Sequence, residues 1–511
     1  MKFFAHILPT GFKRLIATVL LSLSIFASAF GQSTFTGTGN WSTPANWSAG
    51  VPTSATAATI ASGASCTIDV AASCASLTFA AAAANITITL SGTNSLTVTG
   101  LVSMSRPSNG FICTIAVGAG TLTCGSLTMA ATTSPRNDII TISTGTLDIA
   151  GTITTGTTGS QFTFTGAGTM NIGGSFTSTP ALTTFTGSTV NYDGATQTAR
   201  VATYYNLTIS GSGVKTFVTT PTVNGILSME GTATITSTTG VVTYGPAATL
   251  QYNTASPRTA TLEEWITPFA ATGGVIIANT GLITANAAKV FNASVPLTIN
   301  SGASLSTGNF QVTFGGNFIN NGGTFTAGSS PIVIANTMAT QSIAGFTTTG
   351  LVSMTKTGGI ATFTGDVNGA GLTINGSGGT LNLGTSLNHT FTGVITLTAG
   401  TLNGGSSTLH ENATSTTAWN GTGTVFSAGT GTVDFGGAAQ TISATATTFN
   451  NLTMSGSGIK TIGGTVTVAT DLTVGVNTTL TVTGTGNIQI NTGNLILNGL
   501  LDNSGTINIG L

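Results

Sequence analysis

Residues 188–217, STVNYDGATQTARVATYYNLTISGSGVKTF, and residues 431–462, GTVDFGGAAQTISATATTFNNLTMSGSGIKTI, are two copies of one unit. Both carry T-V-x-[YF], a glutamine (Gln197, Gln440), then N-L-T, S-G-S-G and a lysine (Lys215, Lys460). A third, decayed copy at 330–363 keeps Gln341 and its apolar strand but displaces the lysine. The copies stand 144 and 99 residues apart from glutamine to glutamine, an uneven spacing that marks duplication of multi-coil blocks followed by drift.

Within the copies, apolar and polar residues alternate over four to six positions and then break at Gly, Ser or Asn. From about Ile60 onward the rest of the chain does the same, as in NITITL (85–90), SLTVTG (95–100), TLDIAGTITT (146–155), QFTFTG (161–166) and TMNIGG (169–174). Period two between turn formers is the signature of short strands. Thr, Val, Ile and Phe are common while Lys, Glu, Gln and Arg are scarce, which disfavours helix. The one helix-like signal is 261–264, Thr-Leu-Glu-Glu, which fits a capping box or a turn between strands. So long an all-β chain without helical crossovers is either a string of sandwiches or a solenoid. The repeats decide for an all-β, right-handed parallel β-helix (β-solenoid) with irregular coils.

Composition gives the same answer by another route. Only 5% of residues are charged, against about a quarter in ordinary domains. In a parallel stack each outward side chain lies about 4.8 Å above its counterpart, so like charges would repel along the ladder. Thr, Ser and Asn stack without that penalty. Inward positions such as Leu207, Ile209, Leu452 and Met454 supply the core, and glycine takes the strained corners.

The first residues place Lys2, Lys13 and Arg14 before the apolar run 15–30, which ends in Ala27, Ser28, Ala29 and Gly31. That is the pattern of a signal peptide spanning 1–31, with export and no membrane span after its removal. Without those three cations, eight basic residues face twelve acidic ones. Such a weak and scattered charge excludes nucleic acid and anionic membranes as partners.

Two of the four tryptophans, Trp41 and Trp47, follow closely in GNWSTPANWSAGVP (39–52). A solenoid ends in an open strand edge over an exposed core. The pair, held by Pro44 and Pro52, suits a cap at 32–59 over a β-helix at 60–511. The alternative role is a platform on which a sugar ring stacks.

The same segment carries a resemblance. G-x-W-S-x-P-A-N-W-x-x-G-x-P, with AATI (57–60), Cys66-Thr-Ile-Asp-Val70 and Ser76-Leu-Thr-Phe79, looks like the opening of large secreted β-helix proteins of Gram-negative bacteria. It is also similar to the start of the extracellular domain named for its eight glycines. YNTASPRTATLEEW (252–265), GTVDFGGAAQTI (431–442) and FNNLTMSGSGIKTI (449–462) resemble repeats of giant adhesin-like surface proteins exported by the type IX route. The resemblance implies architecture and a cell-surface setting, and little about activity. The chain ends at INIGL without a recognisable sorting domain, so a longer natural protein or another export route is expected.

Cys66, Cys74, Cys113 and Cys124 all fall in the first quarter. In an exported protein an even number suggests disulfides, with 66–74 and 113–124 the local pairings. Small buried hydrophobes are the other reading. No Cys or His spacing suggests zinc, Asp366-Val-Asn-Gly369 lacks the later acidic ligands of a calcium loop, and no cofactor is expected.

Polysaccharide chemistry needs two carboxylates, or a carboxylate with a basic residue, presented by neighbouring coils. Glu263 and Glu264 beside Trp265 and Arg258, or His410 and Glu411 one coil before Asp434, are the available groups. The plainer readings are adjacent glutamates pointing apart and a solvated His-Glu turn, so no catalytic residue is assigned. The expected function is a non-enzymatic secreted or surface structural and adhesive protein meeting glycans or other cells. A carbohydrate-binding or polysaccharide-degrading protein and an ice-binding solenoid are the alternatives.

Overall fold

The computed structural model describes residues 31–510 except 82, 106, 109, 132–135, 157, 178–179, 415–416, 422–424 and 445–446. The segment 1–31, expected to be a signal peptide, lies outside the described residues, save Gly31. Among the described residues the chain is strand and turn, with one short 3-10 turn at Pro44–Asn46. Among the described residues every pairing between these strands is parallel, the mark of a β-solenoid, with one isolated antiparallel bridge, Phe35 to Trp47, and two compact units divide the chain after Asn191.

In the first unit each coil contributes short strands to separate faces. One face stacks Thr38–Asn40, Ser65–Ile68, Ile86–Leu90, Ile112–Gly118, Asn137–Ile142, Ser160–Phe164 and Ala181–Thr183 in that order. Coil lengths vary, from 19 residues between the partners Ala57 and Ser76 to 27 between Ile86 and Cys113. That variation explains why no single short period emerges from the sequence.

Alternation along each strand becomes a column through the stack. Leu96, Leu122, Leu147 and Met170 lie over one another, all buried. In the second unit Leu207, Leu227, Leu250, Val275, Leu297, Phe318, Ile343 and Phe363 form one apolar column across successive coils. Each inward Leu, Ile or Phe contributes about 1.5–3 kcal/mol by leaving water, so stability accumulates coil by coil.

The outward columns are hydroxyl ladders. Thr34, Thr59, Thr78, Ser103, Thr128 and Thr154 stand in unbroken register over six strands. Corners are stacked as well: Gly384, Gly405 and Gly429 all have positive φ, and a Cβ on either of the last two would strike the carbonyl oxygen of the glycine one coil back. Only glycine meets both demands there.

Candidate functional sites: the cap and the buried polar clusters

The segment after the first strand folds back over it. Thr36 N–H donates to Asn46 O at 3.0 Å and Ser48 N–H to Thr34 O at 3.0 Å, antiparallel to Gln32–Phe35 and on the edge away from Ala57–Ile60. The edge that would otherwise be open is thereby paired. Trp41 and Trp47 are 1% and 6% exposed and meet edge to face at 4.6 Å, with Phe35 5.2 Å from Trp47. The Trp47 indole N–H donates to Trp41 O at 2.7 Å. Stacking on a sugar requires an open ring face, and these two rings are spent on each other and on Phe35.

All four cysteines are buried free thiols, so neither expected disulfide, 66–74 or 113–124, is formed. They occupy inward positions as small apolar residues do. Cys74 and Cys124 share a column but Val98 lies between them, roughly 10 Å apart at two strand spacings and beyond disulfide reach. Cys113 stacks under the buried Asp138, whose carboxylate accepts Ala131 N–H at 2.8 Å. Burial pushes each thiol up to about 12 and lifts Asp138 to about 6.

The 261–264 segment is a single turn whose contacts are those of a capping box. Glu264 accepts the Thr261 N–H at 2.8 Å and bonds its hydroxyl, and Trp265 N–H closes the turn on Thr261 O at 3.1 Å. This replaces the strand geometry expected of the glutamates: Glu264 is fully buried and Glu263 is half-exposed. Around Glu264 gather the Tyr252 hydroxyl at 3.2 Å and Arg258 at 3.9 Å. The Arg258 nitrogens make no hydrogen bond; the guanidinium lies 5.7 Å from the Tyr252 ring centroid. Lys289 sits 4.9 Å over the Trp265 ring and donates to Trp265 O at 3.0 Å and Asn286 Oδ1 at 2.9 Å. Desolvation raises Glu264 and lowers Lys289 to about 8.

His410 and Glu411 are likewise not a solvated turn. They end the strand Thr408–Glu411, on which His410 points outward and pairs with its register partner Asp434 at 2.9 Å. Glu411 points inward, fully buried, in a column between Phe391 and Phe435. There it receives the side-chain amide of Gln440, which also donates to Glu411 O at 3.0 Å. Gln440 in turn faces Lys460, whose ammonium donates to Gln440 Oε1 at 2.7 Å and to the carbonyls of Gly437 and Ala438.

The other two copies build variants of this arrangement. Lys215 lies opposite Gln197 and donates to the carbonyls of Gly194, Ala195 and Ser212. Lys356, displaced in sequence, still reaches Gln341 Oε1 at 3.1 Å and Met338 O at 3.2 Å. The recurring glutamine and lysine, 18, 15 and 20 residues apart in the three copies, thus encode a buried lysine that ties down turn carbonyls across coils. Every lysine beyond residue 31 is inside: Lys215, Lys289, Lys356 and Lys460 are 0–2% exposed. Among the described residues only Asp366 and Asp502 are exposed charged groups.

Among the described residues no group of three or more His, Cys, Asp or Glu gathers to hold a metal, and no helix is long and apolar enough to cross a membrane. One open cleft, about 330 Å³, is lined by Ser54, Ala57, Ala75, Ser76, Thr99 and Gly100, none of them ionisable. The fold and these clusters define a β-solenoid with a capped first strand and internally ligated lysines. Compared with known proteins, the chain matches no family model, no curated protein and no solved structure.

Proposed function

We propose that the chain is a non-enzymatic, exported structural and adhesive protein of the Gram-negative cell surface, whose outer faces meet surface glycans or other cells. The observation that carries this reading is the division of polar chemistry: every lysine beyond residue 31 turned inward, and hydroxyl ladders such as Thr34 to Thr154 turned outward. A hydroxyl ladder donates and accepts hydrogen bonds along a glycan chain and offers no charge for salt to screen. The buried carboxylates, by contrast, are already engaged inside the coils. The resemblance of the N-terminal segment and repeats to surface β-helix proteins supports the setting.

The test is solid-phase binding of the purified chain to bacterial cells, host cells and a polysaccharide panel at low and high salt. Binding that persists at high salt is expected, and binding to no surface at all sinks the adhesive role. The same panel, assayed for new reducing ends and unsaturated uronates, separates an enzyme from a binder. Ice binding has less support, because the paired outward threonines Thr121 and Thr123 give way to Thr146 and Asp148 on the next coil, then to Thr169 and Asn171.

A further inference from the structure

Gln440 and Lys460 are direct partners on neighbouring parallel strands, Gln440–Ala444 and Gly458–Ile462, and both side chains point into the core. They are 1% and 0% exposed, with the lysine nitrogen 2.7 Å from the amide oxygen. On the far side the amide nitrogen donates to the carboxylate of Glu411, 0% exposed. The space is closed: a Cβ on Gly437 would come within 2.8 Å of the Gln440 amide nitrogen. Amine, carboxamide and carboxyl group therefore lie in line, out of water.

We propose that Lys460 and Gln440 join in an autocatalytic isopeptide bond across adjacent coils, with Glu411 carrying the protons. Transfer of a proton from the ammonium to Glu411, relayed through the Gln440 amide that hydrogen-bonds to both, gives a neutral amine and a carboxylic acid. The amine lone pair attacks Gln440 Cδ, forming the Nζ–Cδ bond and a tetrahedral centre. Glu411 gives its proton to Nε2 and takes one from Nζ, and the Cδ–Nε2 bond breaks to release ammonia. No oxidant or cofactor enters, and the carboxyl group is regenerated. Burial supports the first transfer, since it raises Glu411 to about 8 and lowers Lys460 to about 8, so that the neutral pair costs little. Proximity supplies the rest.

The decayed copy is an internal control. Lys356 also reaches a glutamine oxygen, but the Gln341 amide nitrogen donates to the carbonyls of Phe314 and Gly316 rather than to a carboxyl group. With no acid to protonate its leaving nitrogen, that pair stays uncoupled.

The experiment is the intact mass of the folded full chain. A deficit of one ammonia is expected, and chymotryptic digestion, which cuts after Phe449 between the two residues, should yield a branched peptide joining Gln440 to Lys460. Glu411→Gln and Lys460→Arg should each restore the full mass. Unmodified Gln440 and Lys460 in the folded wild-type chain overturn the proposal, whatever the variants do. A bond that forms undiminished in Glu411→Gln, or one mapping to Gln341 and Lys356, overturns the role given to the acid.

Discussion

Lys215 stands directly across from Gln197 on the neighbouring strand, fully buried, with its ammonium bound to three backbone carbonyls. A lysine that normally covers a surface here holds a turn together from within. Amine-reactive esters applied to the native protein are therefore expected to leave Lys215, Lys289, Lys356 and Lys460 unmodified, and a lysine-specific protease to leave all four uncut. Unfolding exposes them, Lys460 excepted where it is coupled. Peptide mapping before and after denaturant checks this, and native-state labelling at any of the four contradicts the inward placement.

The buried ionisable groups also fix how stability follows pH. Glu411 holds its proton up to about 8, against 4.5 in the unfolded chain, and Asp138 up to about 6, against 3.8. Between those values the folded state binds more protons, so stability falls as pH rises. Lys215 and Lys289 are lowered from 10.5 to about 8, so above about 8 the unfolded state binds more protons and stability rises with pH. The melting temperature is expected to dip near pH 8 and recover towards pH 10. A series of melts from pH 5 to 10 decides it, and a maximum near pH 8 contradicts the assignment.

Much of this was legible in advance. Alternation in NLTI and NLTM set which residues face inward, and Leu207, Ile209, Leu452 and Met454 are all fully buried. The phase that places Ile442 and Ile462 inside also places Gln440 and Lys460 inside, and the phase of Leu409 places Glu411. That signal was present but overridden by the general rule that charged side chains face solvent. Which coil would supply the partner was not legible, because coil lengths vary and register between distant segments has no local mark. The turn at 261–264 was legible as a capping box, whereas its packing against Lys289 depended on a separate coil.

The corner glycines make a separate test of stacking. Gly405→Ala places a Cβ against the carbonyl oxygen of Gly384 at a residue with φ of 60°. The left-handed conformation alone costs about 1–2 kcal/mol, and the collision adds to it. Gly50 also has positive φ but meets nothing within 4 Å, so Gly50→Ala is expected to lose only the first amount. Equal losses in chemical denaturation would mean the coils are not stacked at residue 405.

Buried thiols predict redox indifference. With each pushed up to about 12 and enclosed, the thiolate needed for exchange is scarce at neutral pH. A thiol-reactive chromogen is expected to find none of the four cysteines in the native protein and all four in denaturant. Melting should not change with reductant, and a shift of several degrees on reduction would reveal a bridge absent from this arrangement.

The cap gives the last prediction. Trp47 joins the pieces of the N-terminal fold-back, since its ring meets both Trp41 and Phe35 and its N–H holds Trp41 O. Trp47→Ala removes that packing, at about 3–5 kcal/mol for a buried tryptophan, and frees the edge of Gln32–Phe35 for pairing with another chain. Trp47→Phe keeps most of the ring and loses one hydrogen bond, about 1 kcal/mol. Sedimentation is therefore expected to show concentration-dependent association for the alanine variant and far less for the phenylalanine variant. Because loss of the ring unpairs an edge that already has the geometry of a parallel ladder, association rather than simple unfolding is the diagnostic outcome. An alanine variant that stays monomeric at every concentration would show that the fold-back does not protect that edge.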